Sequence, residues 1–206
     1  NGDEPLAVDS GWVEGEGATY NFTGSQTLVG ASANAFAIVP NEGTDLDNYN
    51  VTKTEGMLTV TNREAKYEVE ITAKSLNTTY NGTEQSVSGF VNETADGTPV
   101  TANERTYYVT GLTSEARGTD VADSVREIPY TGTAVVKDAA GNDVSAQFNV
   151  TVKRGSLTIN KKDVTLKSAD LSKPYDGTAL KNGDEPLAVD SGWVEGEGAT
   201  YNFTGS

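Results

Sequence analysis

"KYEVEITAKSLNTTYNGTEQ", residues 66–85, sets the fold class, because it reads as strand followed by turn. Tyr67, Val69 and Ile71 alternate with Glu68, Glu70 and Thr72, the period of two expected of a strand with one buried face. Tyr80, Asn81, Gly82 and Thr83 then place an aromatic anchor before Asn-Gly. That dipeptide supplies the positive φ angles of a tight turn, and Thr83 resumes extended chain. "KKDVTLKSADLSKPYDGTAL", residues 161–180, has the same layout, with Tyr175 on Tyr80 and Gly177 on Gly82. A catalytic reading of Asp176 fails at this point, since the equivalent position holds the amide Asn81.

Further matches extend outward. "NYNVTKTEGMLTVTN" (48–62) lines up with "QFNVTVKRGSLTIN" (147–160), placing Gly56 on Gly155 and Leu58 on Leu157. Leu58 and Val60, like Leu157 and Ile159, are expected to face inward. "TYNFTG" (19–24) lines up with "TYYVTG" (106–111), and "NGDEPLAVDSGWVEGEGATYNFTGS" occurs letter for letter at 1–25 and at 182–206. The chain is therefore slightly more than one period of a 181-residue repeat in which two related modules alternate. Residues 1–62 read as the C-terminal part of a YDGT module, 63–161 as a complete YNGT module and 162–206 as the N-terminal part of the next YDGT module. The segment starts in mid-pattern, the leading partial module lacking its first strand, and is expected to be either a window cut from a continuous fibre or a chain whose partial modules are completed by neighbouring chains. Alternation of unlike modules separates identical neighbours that would otherwise invite swapped misfolding.

The expected fold is all-β: tandem immunoglobulin-like sandwiches in an elongated array, with β-grasp-like modules as the alternative. A β-grasp needs a helix across its sheet. The only weak candidate is "SEARGTDVADSVREI" (114–128), where Gly118 and β-branched neighbours argue against more than a short turn. Tyr130, Thr131, Gly132 and Thr133 echo the YNGT turn, and Asp and Tyr in "TDLDNYNV" (44–51) are placed somewhat like a tyrosine corner. The module junctions, around Asn62, Arg63, Glu64 and Ala65 and again at Asn160, Lys161 and Lys162, contain neither Gly nor Pro. Such short, stiff joints predict a semi-rigid string of modules.

Composition narrows the chemistry. With no Cys and no His, disulfides, thiolate or imidazole zinc sites, Cys nucleophiles and His-based triads are excluded. A net charge of −15 repels phosphate backbones, so nucleic acid is not an expected partner. No apolar run in these residues reaches spanning length, and the signal peptide and wall anchor that would address the protein are expected in the ends of a longer chain. The close glycines of "GEGATYNFTG" lack the strand-then-helix setting of a dinucleotide site. "DAAGND" (138–143) and "NEGTDLDN" (41–48) gather oxygen ligands as calcium loops do, but without EF-hand spacing, and Asx-rich turns account for the same residues. The Asn-x-Thr triplets at Asn21, Asn50, Asn77, Asn81, Asn92, Asn149 and Asn202 fit strand and turn composition. Trp12 and Trp193 share one repeat position and are expected in a core or junction, with a sugar-stacking platform as the alternative. No catalytic, cofactor-binding or metal-ligating residue is assigned, calcium remaining the one cofactor alternative, and no enzyme activity is expected.

"KPYDGTAL", "TGSQTLVG", "NYNVTKTEGMLTVT" and "DAAGNDVSAQFNVTVKRGSLTI" together give the chain its family likeness. Nearly its whole length resembles the MBG/YDG-type tandem repeat domains of bacterial cell-surface adhesins. The resemblance implies no catalytic residues. It implies a stalk or adhesin repeat region on a Gram-positive or similar cell surface. The expected location is extracellular, cell-surface or cell-wall attached, and the expected partners are neighbouring modules of the same chain, with neighbouring chains in a fibre as the alternative that the incomplete outer modules leave open. Binding of host glycan or protein by the modules themselves is the alternative.

Overall fold

The computed structural model describes residues 6–183 and 186–204. The chain is all-β with almost no helix and divides into two units, one ending at Lys66 and one beginning at Tyr67. The first unit holds β1 (Ala18–Phe22), β2 (Gly30–Asn34), β3 (Phe36–Pro40) and β4 (Gly56–Val60). In the second lie β5 (Tyr67–Thr72), β6 (Leu76–Thr79), β7 (Gln85–Ser88), β8 (Thr98–Ala102), β9 (Arg105–Gly118) and β10 (Tyr130–Lys137). They are followed by β11 (Phe148–Lys153), β12 (Leu157–Asn160), β13 (Thr165–Lys167) and β14 (Val189–Ser191).

In the first unit β1 pairs antiparallel with β3, setting Phe22 opposite Phe36 and Tyr20 opposite Ile38. β2 pairs antiparallel with β4, setting Ser32 opposite Leu58. The core is thin: Phe36 is the one buried hydrophobic side chain among the described residues of this unit. The Tyr20 and Phe22 rings pack on it at 5.8 and 5.9 Å.

The second unit is organised on β9. Its N-terminal half forms a hairpin with β8, its C-terminal half pairs with β7, and β10 runs antiparallel along it. The hairpin loop is Asn103-Glu104, both at positive φ, the backbone of a primed two-residue turn that matches strand twist. At both ends of the module the pairing is parallel: β5 with β11 and β6 with β12. The strands enclose two apolar clusters. Val69, Ile71, Phe90, Val109, Val136 and Phe148 belong to one, and Ala116, Ile128, Leu157 and Ile159 form the other. β9 reaches both, through Val109 and Ala116. Between them β10 shifts register from Gly132 to Val135. The alternation expected of 66–72 is present, with Val69 and Ile71 buried, and Leu157 and Ile159 face inward as expected.

One local expectation is met and two are corrected. Residues 114–128 hold a single short turn: 114–118 finish β9, and Val121–Asp123 form one 3-10 turn. Tyr130, Thr131, Gly132 and Thr133 lie inside β10 rather than in a turn. Tyr49 makes no corner with its own loop; its hydroxyl reaches Glu16 and the amide of Val13, more than thirty residues upstream.

Candidate interaction groove

Residues 49–60 of the first unit align with 148–159 of the second, and the two runs have different surroundings. In the second unit each strand of the run is covered by a parallel neighbour. Phe148 lies opposite Tyr67, Val150 opposite Val69 and Val152 opposite Ile71; Leu157 lies opposite Leu76 and Ile159 opposite Thr78. Phe148, Leu157 and Ile159 are buried in consequence. The aligned Tyr49, Leu58 and Val60 are only half-buried. Among the described residues β4 pairs with β2 alone, and 50–55 belong to no strand.

Beside this uncovered run lies a groove of about 860 Å³, lined by 49–56 together with Trp12, Tyr20, Phe22, Phe36 and Ile38. Its floor is aromatic. Trp12 meets Tyr49 edge to face at 5.0 Å, and the Lys53 ammonium sits 4.9 Å from the Phe36 ring centroid while bonded to Glu55 at 2.7 Å. The Trp12 indole donates to Asp9 at 2.7 Å, and Trp193 does the same to Asp190 at 2.6 Å. The tryptophan position, expected in a core or junction, is thus half-buried at a groove wall with its polar handle engaged.

The groove phenols are donors. The Tyr49 hydroxyl donates to the Glu16 carboxylate, which holds its pKa above the ordinary 10.0. Burial, helped by Asp9, raises Tyr20 as well. Both keep their protons through neutral pH. Glu197, the repeat equivalent of Glu16, accepts instead from the Tyr80 hydroxyl. This acidic position therefore takes a tyrosine from either module type.

In the oxygen-rich loops the carboxylates close turns. Asp138 accepts from the amides of Ala140 and Asn142 and from the Asn142 side chain, each at 2.9 Å. Asp143 accepts from the Ser145 amide at 2.9 Å, and Asp45 from the Asp47 amide at 3.1 Å. Among the described residues no three carboxylates gather as a metal site would need. The seven asparagines of the Asn-x-Thr triplets are all exposed; Asn81 caps its turn at Thr83 and Asn149 bonds Glu68. The groove consists of an uncovered edge rather than a motif, and the alignment of 49–60 with 148–159 is the sequence signal that points to it. No family model, curated protein or solved structure matches this chain.

Proposed function

We propose that the chain is a spacer segment of a bacterial cell-surface protein, made of immunoglobulin-like sandwich modules in series that hold a terminal adhesive domain away from the cell. The observation that carries this reading is the parallel pairing of first and last strands, β5–β6 with β11–β12. A chain entering at Tyr67 leaves at Asn160 beside Thr79, at the other end of the module. Each module thus advances the chain by its own length instead of returning it. At ~3.3 Å per residue, the thirteen positions from Tyr67 to Thr79 correspond to roughly 40 Å. The Gly- and Pro-free junctions support a semi-rigid joint, and the charge of −15 favours an extended, soluble array.

Small-angle scattering from one, two and three periods in tandem tests this. The maximum dimension is expected to grow linearly, by roughly 80 Å per two-module period; a compact particle or a square-root growth would overturn it. The aromatic groove favours a second reading, glycan binding by the modules. Glycan-array binding that is lost in Trp12→Ala would establish it, and a silent array would leave the spacer.

A further inference from the structure

A single offset runs through the whole contact between the first and last strands of the complete module. Tyr67 to Thr72 lie opposite Phe148 to Lys153, and Leu76 to Thr79 opposite Leu157 to Asn160. Every partner is 81 residues on, so no register is lost between the two strand pairs. The gap between them is bridged. The Ala73 amide donates to the Lys153 carbonyl at 2.8 Å, the Ser156 amide to the Ser75 hydroxyl at 3.0 Å and the Leu76 amide to the Ser156 carbonyl at 2.8 Å. Gly155 crosses so close to Lys74 that a Cβ would stand 2.0 Å from its carbonyl oxygen. At the far end the Tyr80 amide donates to the Asn160 carbonyl at 2.9 Å.

Side chains lace the same seam on its solvent side. The Asn149 amide group donates to Glu68 at 2.6 Å, and the Lys153 ammonium pairs with Glu70 at 2.8 Å. The Asn160 amide group donates to the Thr78 carbonyl at 2.8 Å and to the Asn77 side chain. On the other side Val69, Ile71, Leu157 and Ile159 are buried. Exposed pairs of this kind add little to folding stability. Their placement is what distinguishes them, since they line the path between the residue where the chain enters the module and the residue where it leaves.

We infer that this seam is a shear clamp: a pull along the chain crosses β5–β6 and β11–β12, and residues 81–147 stay free of tension until the seam ruptures. Tension enters at Tyr67 and leaves at Asn160, at opposite ends of the seam. Parallel strands pulled from opposite ends are loaded along their length, and their evenly spaced bonds share the load. A pair pulled apart from one end gives way bond by bond instead. The clamp deepens the spacer reading, which gives it a use, but it rests on pairings within one module. Scattering that showed no linear growth would leave the clamp standing, and a weak clamp would leave the linear growth standing.

Because the chain lacks cysteine, introduced pairs of cysteines choose where DNA handles pull on it in optical tweezers. Lys66→Cys with Lys161→Cys loads the seam in shear. Lys66→Cys with Ala146→Cys draws apart the adjacent starts of β5 and β11 and peels the seam; all three positions are exposed. At one constant force the sheared module is expected to survive about a hundredfold longer, because several bonds rather than one break in the rate-limiting event. Its rupture should be a single step that lengthens the chain by roughly 270 Å as residues 67–160 extend. Asn160→Ala strips two side-chain bonds from the seam and should shorten the sheared lifetime about tenfold. Gly132→Ala, outside the seam, should lower stability in urea yet leave that lifetime within about twofold, since its surroundings are still formed when the seam gives way. Equal lifetimes in the two pulling directions, lengthening in stages at forces the seam survives, or a Gly132→Ala effect on lifetime as large as that of Asn160→Ala would overturn the clamp.

Discussion

Gly132 stands at φ +96° within β10, and a Cβ there would meet the Gly111 carbonyl oxygen at 2.1 Å. Both left-handed backbone and backbone contact resist a side chain, so Gly132→Ala should cost about 3 kcal/mol in urea unfolding. Gly141→Ala, at φ +85° with open space around it, should cost only about 1 kcal/mol. Gly132 also explains a misreading. Its sequence, Tyr-Thr-Gly-Thr, imitates the turn tetrapeptides, but Asn81 and Asp176 hold their turns by accepting from the amides of Thr83 and Thr178. Thr131 instead shares a 2.8 Å hydroxyl contact across the strand with Thr113. The glycine was legible, whereas the pairing that turned it into a bulge was not. Asp138 gives the pH prediction. The Asn142 side chain, followed by backbone amides, holds its pKa below the ordinary 3.8. A depressed folded pKa contributes stability above the unfolded value that is lost as pH falls through the folded one. Protection of the amides of 139–142, taken relative to their intrinsic exchange rate at each pH, should therefore fall as pH drops below about 4, and Asp138→Asn should remove that acid dependence.

Elements show how far propensity reaches, because one 25-residue sequence occurs here in two settings. Val189–Ser191 form β14 against β13, while the identical Val8, Asp9 and Ser10 are in no strand; Val8 is 78% exposed and Val189 36%. Conversely Ala18–Phe22 form β1 against β3, while the identical residues at 199–203 are unpaired among the described residues. What the two copies share is local: the Trp-to-Asp bond across three residues and the turn that follows it, Glu16 to Val13 and Glu197 to Val194. Alternation in the sequence therefore marks a strand's competence, and a partner distant in sequence decides whether it forms. That is why the β class could be read from 66–85 while the parallel pairings could not. The Asn103-Glu104 turn was missed for a local reason: it has the positive φ angles without the glycine that usually announces them. The same logic separates two aligned leucines. Leu157, fully buried between β6 and the Val125 bridge, should cost about 3 kcal/mol on truncation to alanine. Leu58, covered on one side only, should cost about 1 kcal/mol, as a half-buried leucine does; chemical denaturation of the two variants measures the contrast.

At the scale of the whole molecule, stability is unevenly distributed. Every residue of the two apolar clusters, partly buried members included, falls between Tyr67 and Ile159. Residues beyond them add β13 and β14, a two-stranded ribbon exposed along its length, and such ribbons are marginal on their own. A fragment of residues 63–161 should accordingly fold alone and unfold in one cooperative transition, as small single-core domains do. The first unit has one buried phenylalanine and an open groove, so less apolar area is withdrawn from water per residue ordered. Calorimetry of the full chain should then show two transitions, the upper coinciding with that of fragment 63–161 and the lower belonging to residues up to Lys66. A single transition would mean that the two units do not unfold independently.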